Sequence, residues 1–538
     1  MQNNILKHKI KRDVKFIFWL FFYFSLISIG IIQLGYSFLG ENDDWVLWYF
    51  LSAGESGTLI MSYPLSSVIS YLYRYVPDIN WYSWVMFVYI SLISFLAAYH
   101  IERVKDRSII KLLIIIVSMM LIYTWMNITI TMVTLLLIAM SAPFIRIDPI
   151  KFWILLTLAG LLRVDLIISI APIFILTYLI LFRKNLLTPK KVILVFTLLS
   201  TLIATHISVS LDQEYKDWLT FVKARGYFVD LHGEDKLNIL SEDEEFISRT
   251  WWIGDDSLLS TQKVIDAASS SSIDIISSSF SNLEPIELLK TFAHSKLLFF
   301  LIFITALLIY REEKYYNKGV YTLFLIAVMT LIIVRDTERV TYPLIFLWSI
   351  LIFMKLAFIN DLKLLKKSLI ITSFILLVEL PIGKIYKYNQ NAELKDEAVE
   401  LMAKYPDMKY ASALGFPRSF GKLSIVLREA HLFDEKNWLS FEKNGILLAG
   451  WPSRHPYFYK THNISFNNVK RKFDNFYQFM IDEHSAFIGT KDVDEEFNKK
   501  ILNLYDLKYG TNGINYHRIK VLDESKNFSL TKIIKVDR

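Results

Sequence analysis

Two adjacent carboxylates, Asp43 and Asp44, follow the first apolar run of the chain, within the stretch GENDDWVLWYFLSAGESGTLIMSYPLSSVISYLYRYVPDINWYSW, Gly40–Trp84. At a boundary between water and membrane a carboxylate is partly desolvated, and a like charge beside it makes it hold a proton harder still. It can then take a proton from a hydroxyl, which is general acid/base chemistry. Asp43 and Asp44 are the catalytic candidates on that ground. The same letters admit another reading, in which Asn42-Asp43 caps a short helix beginning at Trp45. The two readings are compatible, because one carboxylate can cap while its neighbour reacts.

Two further constellations carry charge where charge is expensive. Arg163 and Asp165 interrupt the long apolar run Phe152–Phe182, and Arg335, Glu338 and Arg339 sit in the short segment RDTERV between two others. Ionisable residues at membrane depth are paired or functional, and the arginine fork matches the oxygens of a phosphate. These residues are candidates for gripping a lipid phosphate or diphosphate, against the reading that Arg163 and Asp165 satisfy each other. In DWLTFVKARGYFVDLHG, Asp217–Gly233, Lys223 and Arg225 stand among aromatics, either in a sugar or acceptor pocket or on an amphipathic surface helix. The histidines show no metal-ligand spacing and there is no cysteine. No P-loop, dinucleotide fingerprint or nucleophile elbow occurs. No cofactor is expected, and a divalent metal finds no ligand set.

The elements that must position these groups are set by hydropathy. The chain has 538 residues, 54% hydrophobic and 15% aromatic, which excludes a soluble globular protein. Runs of roughly 18 or more apolar residues recur, the length that crosses a bilayer. The fold class expected is an α-helical polytopic membrane protein. The net charge of +7 does not point to nucleic acid, because the basic residues lie in short clusters between apolar runs, where they orient spans.

Lys7, Lys9, Lys11, Arg12 and Lys15 place the N-terminus inside, and Phe16–Phe38, with no small-residue cleavage site after it, reads as a retained first span. Trp81–His100 returns to Arg103, Lys105, Arg107 and Lys111. Ile109–Ile145 suits two spans joined by a tight external turn around Trp125-Met126-Asn127. As a single helix Phe152–Phe182 would be ~46 Å long. Charge bias favours two short spans whose apex, Arg163–Asp165, faces out. Val192–Ser210 then leads to an external loop, Leu211–Ser295, with 16 acidic and 7 basic residues. Lys296–Tyr310, Val320–Val334, Thr341–Ile359 and Ser368–Gly383 complete about eleven crossings, with the N-terminus inside and the C-terminus outside.

Residues 1–383 thus form a transmembrane domain. Residues 384–538 form a soluble extracytoplasmic α/β domain, with helical stretches at Glu393–Ala403, Phe473–Ile481 and Asp494–Leu504 and strands at Lys409–Leu414, Gly445–Gly450, Ala486–Gly489 and Ile519–Leu522. Beside the carboxylates, Pro64–Val76 carries Leu65, Val68, Ile69, Leu72 and Val76 as a helical stripe. Tyr71, Tyr73, Tyr75, Trp81, Tyr82 and Trp84 are expected at headgroup level. Such a membrane-surface helix either guides a lipid-linked substrate or simply anchors the loop.

The first span, NDDW, the interfacial helix and SYPLSSVISYLYRYVPDINWYSW together resemble integral-membrane glycosyltransferases of the C superfamily, the GT-C fold. The resemblance covers roughly the first 100 residues best and extends to overall topology through Gly383. It implies transfer of a sugar from a polyprenyl-phosphate carrier to an envelope glycan, lipid or protein acceptor on the outer face. An acidic residue of the first external loop would be the base, a role falling to Asp43 or Asp44. Arg163, Arg335 and Arg339 would hold the phosphate, with Asp165, Lys223, Arg225 and Glu338 as further substrate-binding candidates. The partners implied are the lipid-linked donor, the acceptor and membrane lipid. Arginine charge can stabilise a phosphate leaving group without a metal.

The other readings are an O-antigen-type polymerase or ligase, a transporter or flippase, and a membrane scaffold. Early placement of the Asp pair argues against the first, and clustering of charged motifs toward one face argues against the second. Lys/Ile/Asn-rich usage suits a bacterial inner membrane.

Overall fold

The computed structural model describes residues 2–34, 42–52, 54, 56–58, 60–104, 107–141, 144, 148–167, 213–230, 241–244, 259–269, 397–398, 400–405, 408–412, 445–447, 464–466, 469–471, 481–490, 495–509 and 517–535. They are mostly helical, with a small sheet near the C-terminus. The chain divides into two units. One comprises Met1–Ile207, Leu283–Tyr386 and His431–Phe433, and the other Ser208–Asn282, Lys387–Ala430 and Asp434–Arg538. The second thus takes in most of the segment expected as a large external loop.

In the first unit the described helices are α1 (Gln2–Gln33), α2 (Asn42–Ser52), α3 (Tyr63–Tyr75), α4 (Trp81–Glu102), α5 (Arg107–Met126), α6 (Ile130–Ser141) and α7 (Pro149–Leu162). Their ends follow local chemistry. Asn80 accepts the Ser83 amide to cap α4. Proline occupies the first turn of α3 and of α7, where its missing N–H costs nothing. Helix α5 stops at Met126, in the expected tight turn. Helix α7 stops at Leu162, where Arg163 turns extended with φ −149° and ψ 99°. Helical structure resumes at Val164–Ile167.

Two of these helices, Val14–Gln33 within α1 and Trp81–Glu102, are long and apolar enough to cross a membrane. The apolar parts of α5, α6 and α7 are shorter, at Leu113–Met126, Ile130–Ser141 and Ile150–Leu162. The expected crossings at 192–210, 296–310, 320–334, 341–359 and 368–383 lie outside the described residues.

Among the described helices of this unit α6 has all of its side chains buried, as an all-round apolar helix requires. It runs parallel to α4. Asp44 touches the first turns of both, and at the other end His100 Nε2 lies 2.8 Å from the Met140 carbonyl. Helix α5 is antiparallel to α4, with Phe87 and Trp125 rings 5.9 Å apart. Helix α7 is antiparallel to both, because Tyr89 donates to the Leu158 carbonyl at 3.0 Å and Arg163 reaches Thr131.

The second unit holds α8 (Gln213–Asp230), α9 (Thr261–Ser269) and α10 (Glu495–Tyr509). Helix α8 is amphipathic, burying Tyr215, Trp218, Phe221 and Val222. A reciprocal Ser241/Glu244 capping pair stands beside α9, and Glu244 also takes an ion pair from Lys263. The main sheet has the order β2-β1-β5-β7-β6, from β1 (Lys409–Ser412), β2 (Gly445–Leu447), β5 (Ser485–Thr490), β6 (His517–Glu524) and β7 (Phe528–Lys535). The pairs β1–β2 and β1–β5 are parallel, while β7 is antiparallel to both β5 and β6. A separate hairpin joins β3 (Ile464–Phe466) to β4 (Val469–Arg471). The core is Ala398, Leu401, Ala486, Ile488, Phe528 and Leu530. The expected helix at 473–480 lies outside the described residues.

Glu397 pins the β6–β7 turn by accepting the Asn527 backbone amide at 2.5 Å and its side-chain amide at 2.6 Å. Burial opposes its ionisation, but hydrogen bonds from Ser525 and Asn527 outweigh that and hold the carboxyl below its ordinary value of 4.5. A depressed folded value contributes stability above the unfolded value and loses it as pH falls through the folded one. Thermal unfolding measured from about pH 6 down to about pH 3 should therefore show a smaller acid-induced drop in Glu397→Gln than in the wild type. Equal drops would show that this contact does not titrate with folding.

Candidate active site

The candidate site is built on the way into α6. A helix begins with backbone N–H groups that have no partner inside it, and α6 begins in the interior, where no bulk water supplies one. Thr129, itself fully buried, accepts the Met132 amide on its hydroxyl at 3.0 Å. The Ile130 amide donates to Asp44 Oδ1 at 2.5 Å. A carboxylate at a helix N-terminus also opposes the positive end of the helix dipole, worth up to ~2 kcal/mol in a partly buried setting.

The same Asp44 oxygen accepts the Tyr82 hydroxyl at 2.5 Å. Tyr82 is itself held, since its backbone amide donates to Tyr73 Oη at 3.1 Å and Tyr73 donates to Asn80 Oδ1 at 2.9 Å. Asn80 is the cap of α4. One carboxylate on α2 therefore ties together α4 and α6, with α3 joined through Tyr73. Asp44 is 1% exposed, so these bonds form in a setting where losing one leaves a buried donor without its acceptor.

Arg163 arrives from the other direction. Its Nη1 donates to the Thr131 hydroxyl, one residue beyond the amide that Asp44 accepts. Its Nε lies 3.0 Å from Asp165 Oδ1 and 3.1 Å from Oδ2. The Arg163 side chain is 12% exposed and that of Asp165 59%, so the pair joins a mostly covered cation to a solvent-exposed carboxylate. Of the two readings of this motif the structure shows the ion pair of Arg163 with Asp165, and Arg163 also reaches the first turn of α6. Nearby, the backbone amide and the hydroxyl of Ser62 both donate to the Leu161 carbonyl, at 3.2 and 2.6 Å, fastening the start of α3 to the end of α7.

The loop between α2 and α3 closes through Arg74, which donates to the Gly54 carbonyl at 2.5 Å. Gly54 has φ +85°, and a Cβ there would lie 2.8 Å from Arg74 Nε, so this position needs glycine. The Trp125 indole N–H, just before the turn into α6, is buried with no hydrogen-bond acceptor among the described residues.

Several expectations change. Helix α2 begins at Asn42, so the Asp pair lies within its first turn rather than capping a helix from Trp45. The capping carboxylate is Asp44, and the helix it caps is α6. Tyr73 and Tyr82, expected at headgroup level, are interior, whereas Tyr71, Tyr75 and Trp84 are exposed. The face that α3 buries is Ser66, Ile69, Ser70 and Tyr73, while Val68 and Val76 of its apolar stripe point outward.

The structure brings together Asp44, Arg163 and Asp165 around one helix turn. Asp43 occupies the neighbouring position of α2, and Lys223 and Arg225 lie on α8 in the second unit. Arg335, Glu338 and Arg339 lie outside the described residues. Sequence reasoning missed Tyr82 and Thr131. Three hydroxyls in an apolar run, at Thr129, Thr131 and Thr134, were the available sign that this turn has polar neighbours. Among the described residues no group of three His, Asp or Glu side chains is placed to hold a metal ion. Comparison with protein-family models, curated proteins and solved structures finds no significant match in any of the three.

Replacing Asp44 by Ala should destabilise the first unit by about 1–3 kcal/mol for each donor it orphans, Tyr82 and Ile130. Tyr82→Phe removes donor and need together and should cost less. Thermal denaturation of the purified full-length protein would check this order; equal costs for the two variants would show that the carboxylate is not satisfying buried donors.

Proposed function

We propose that the chain is an integral-membrane glycosyltransferase of the GT-C type, moving a sugar from a polyprenyl-phosphate carrier to an envelope glycan, lipid or protein acceptor. The single observation that supports this reading most is the meeting of Asp44 and Arg163 on successive residues of the α6 first turn. The sequence separates them by more than a hundred positions. A transferase of this kind needs a first-loop carboxylate for the acceptor hydroxyl and a fixed cation for the leaving phosphate within one site. Asp44 fastens the helix that carries the Asp pair to the turn on which Arg163 docks.

In this mechanism an Asp of the 39–80 loop takes the proton of the acceptor hydroxyl. The hydroxyl oxygen attacks the anomeric carbon, and direct displacement inverts its configuration. Arg163 exchanges its exposed partner Asp165 for the lipid phosphate; Arg335, Glu338 and Arg339 are proposed to complete that grip, and Lys223 and Arg225 to contact the acceptor. Charge bias supports about eleven crossings in a bacterial inner membrane, N-terminus cytoplasmic and C-terminal domain extracytoplasmic.

Two measurements test the proposal. Membranes carrying the wild type should incorporate labelled sugar from a polyprenyl-phosphate donor, and Arg163→Ala should lower kcat/KM by about 10²–10³-fold, the scale of losing one preorganised charge-stabilising donor. Deletion of the gene should remove one defined sugar from envelope glycans read by mass spectrometry. Unchanged glycans on deletion, with no transfer by the wild type, would sink the reading. For topology, a phosphatase reporter fused at Lys384 should be active only on the outer side; activity of a cytoplasm-specific reporter there would overturn the crossing number.

A further inference from the structure

The β6–β7 hairpin sets like charges against each other. Cross-strand partners share a face of a sheet, as do alternate residues of one strand. The register pairs Lys520 with Lys532 and Arg518 with Ile534, so Arg518, Lys520 and Lys532 stand on one face of two adjacent strands. Like charges directly opposite one another destabilise a sheet. Arg518 and Lys520 are exposed, whereas Lys532 is only 9% exposed. Among the described residues none of these three side chains makes a hydrogen bond or an ion pair with a carboxylate.

The carboxylates nearest Lys532 are Asp482 and Glu483, on the segment leading into β5, and they offset part of its charge from a distance. Each has a partner of its own. Asp482 accepts the His484 amide at 2.8 Å, and a Glu483 oxygen lies 3.4 Å from His484 Nε2. Burial outweighs their pull and, with Lys520 opposite, holds the Lys532 ammonium below its ordinary value of 10.5. A lysine can cover its stem and let its ammonium reach water. That accounts for Lys532 taken alone, but not for a second lysine set directly across from it and an arginine on the same face. An anion held between them accounts for all three.

We propose that Arg518, Lys520 and Lys532 form an anion-binding site on the C-terminal sheet, which takes a phosphate group either free or on a lipid headgroup. A guanidinium offers a planar pair of N–H donors to two phosphate oxygens, and each ammonium adds a charge-assisted bond. Lys532 supplies the covered wall of the site, and the other two its open rim. Binding turns repulsion across the hairpin into attraction through a shared anion. The site lies within the second unit and stands whether or not the protein transfers sugars.

The test is phosphate binding by the full-length protein in an uncharged maltoside detergent, read by phosphorus NMR and by thermal denaturation at constant ionic strength, with chloride as the control. Inorganic phosphate and dihexanoyl phosphatidic acid are the two probes. The wild type should bind and gain Tm as the probe concentration rises. Tighter binding of inorganic phosphate assigns the site to free phosphate, and tighter binding of the short lipid assigns it to a headgroup. Lys532→Met keeps the bulk of the stem without the charge. It should bind about 10–100-fold more weakly, the scale of one hydrogen bond to a charged group, with a Tm in chloride no lower than that of the wild type. Lys520→Gln, at an exposed position, should weaken binding on the same scale and serves if Lys532→Met does not fold. Wild-type affinity in these variants would place the phosphate elsewhere and overturn the proposal. So would a wild type that responds to both probes no more than to chloride.

Discussion

A helix buried on every side must find partners for its first amides without help from water, and α6 meets that constraint with residues drawn from distant parts of the chain. Thr129 supplies one acceptor from the preceding turn. Asp44 supplies another from α2. An uncapped amide here would cost about 1–3 kcal/mol, a sizeable part of the margin by which proteins are stable. The requirement fixes where the 39–80 loop can sit: α2 has to bring its carboxylate to the α6 entrance, and Tyr82 has to stand where it shares that oxygen.

From this point the neighbouring contacts follow. With α2 held, the chain must turn at Gly54 and cross back as α3, where Arg74 closes over the turn. A helix whose inner face is Ser66, Ile69, Ser70 and Tyr73 can lie close to its neighbours because three of the four residues bring hydroxyls and two are small. Ser62 then binds the end of α7, and α7 delivers Arg163 to Thr131. The turn that Asp44 anchors is thus also the turn on which Arg163 docks. A buried polar network of this kind is stable only when every member is satisfied, so chemistry grafted onto it inherits its rigidity.

Among the described residues, the helical character of the first unit and a small sheet near the C-terminus were legible in hydropathy and punctuation. The turn at Asn127 and the break at Arg163 show as polar letters in apolar runs. Four strands of the second unit show as short β-branched or apolar runs between turn residues. The final strand, Phe528–Lys535, was missed because Lys532, a charged residue at a buried position, breaks its alternation. The site was legible in part. Residue type pointed to Asp44 and Arg163, since charge in an apolar setting announces itself. Tyr82 was misread, because an aromatic near the end of an apolar helix has the same sequence signature whether it faces headgroups or a buried carboxylate. Only the three-dimensional partner separates those cases.

Arg163 docks on the first turn of α6 through the Thr131 hydroxyl, one residue beyond the amide that Asp44 accepts, and the candidate site depends on that placement. The chain contains no cysteine, so a single introduced pair can be read without background. Thr131→Cys combined with Arg163→Cys, treated in the full-length protein with a short bis-maleimide and analysed by peptide mass spectrometry, measures that proximity. The account predicts an intramolecular cross-link between positions 131 and 163 in the double variant. Full single-site labelling at both positions without any cross-link would contradict it, and would separate the phosphate-binding candidate from the carboxylate it is argued to serve.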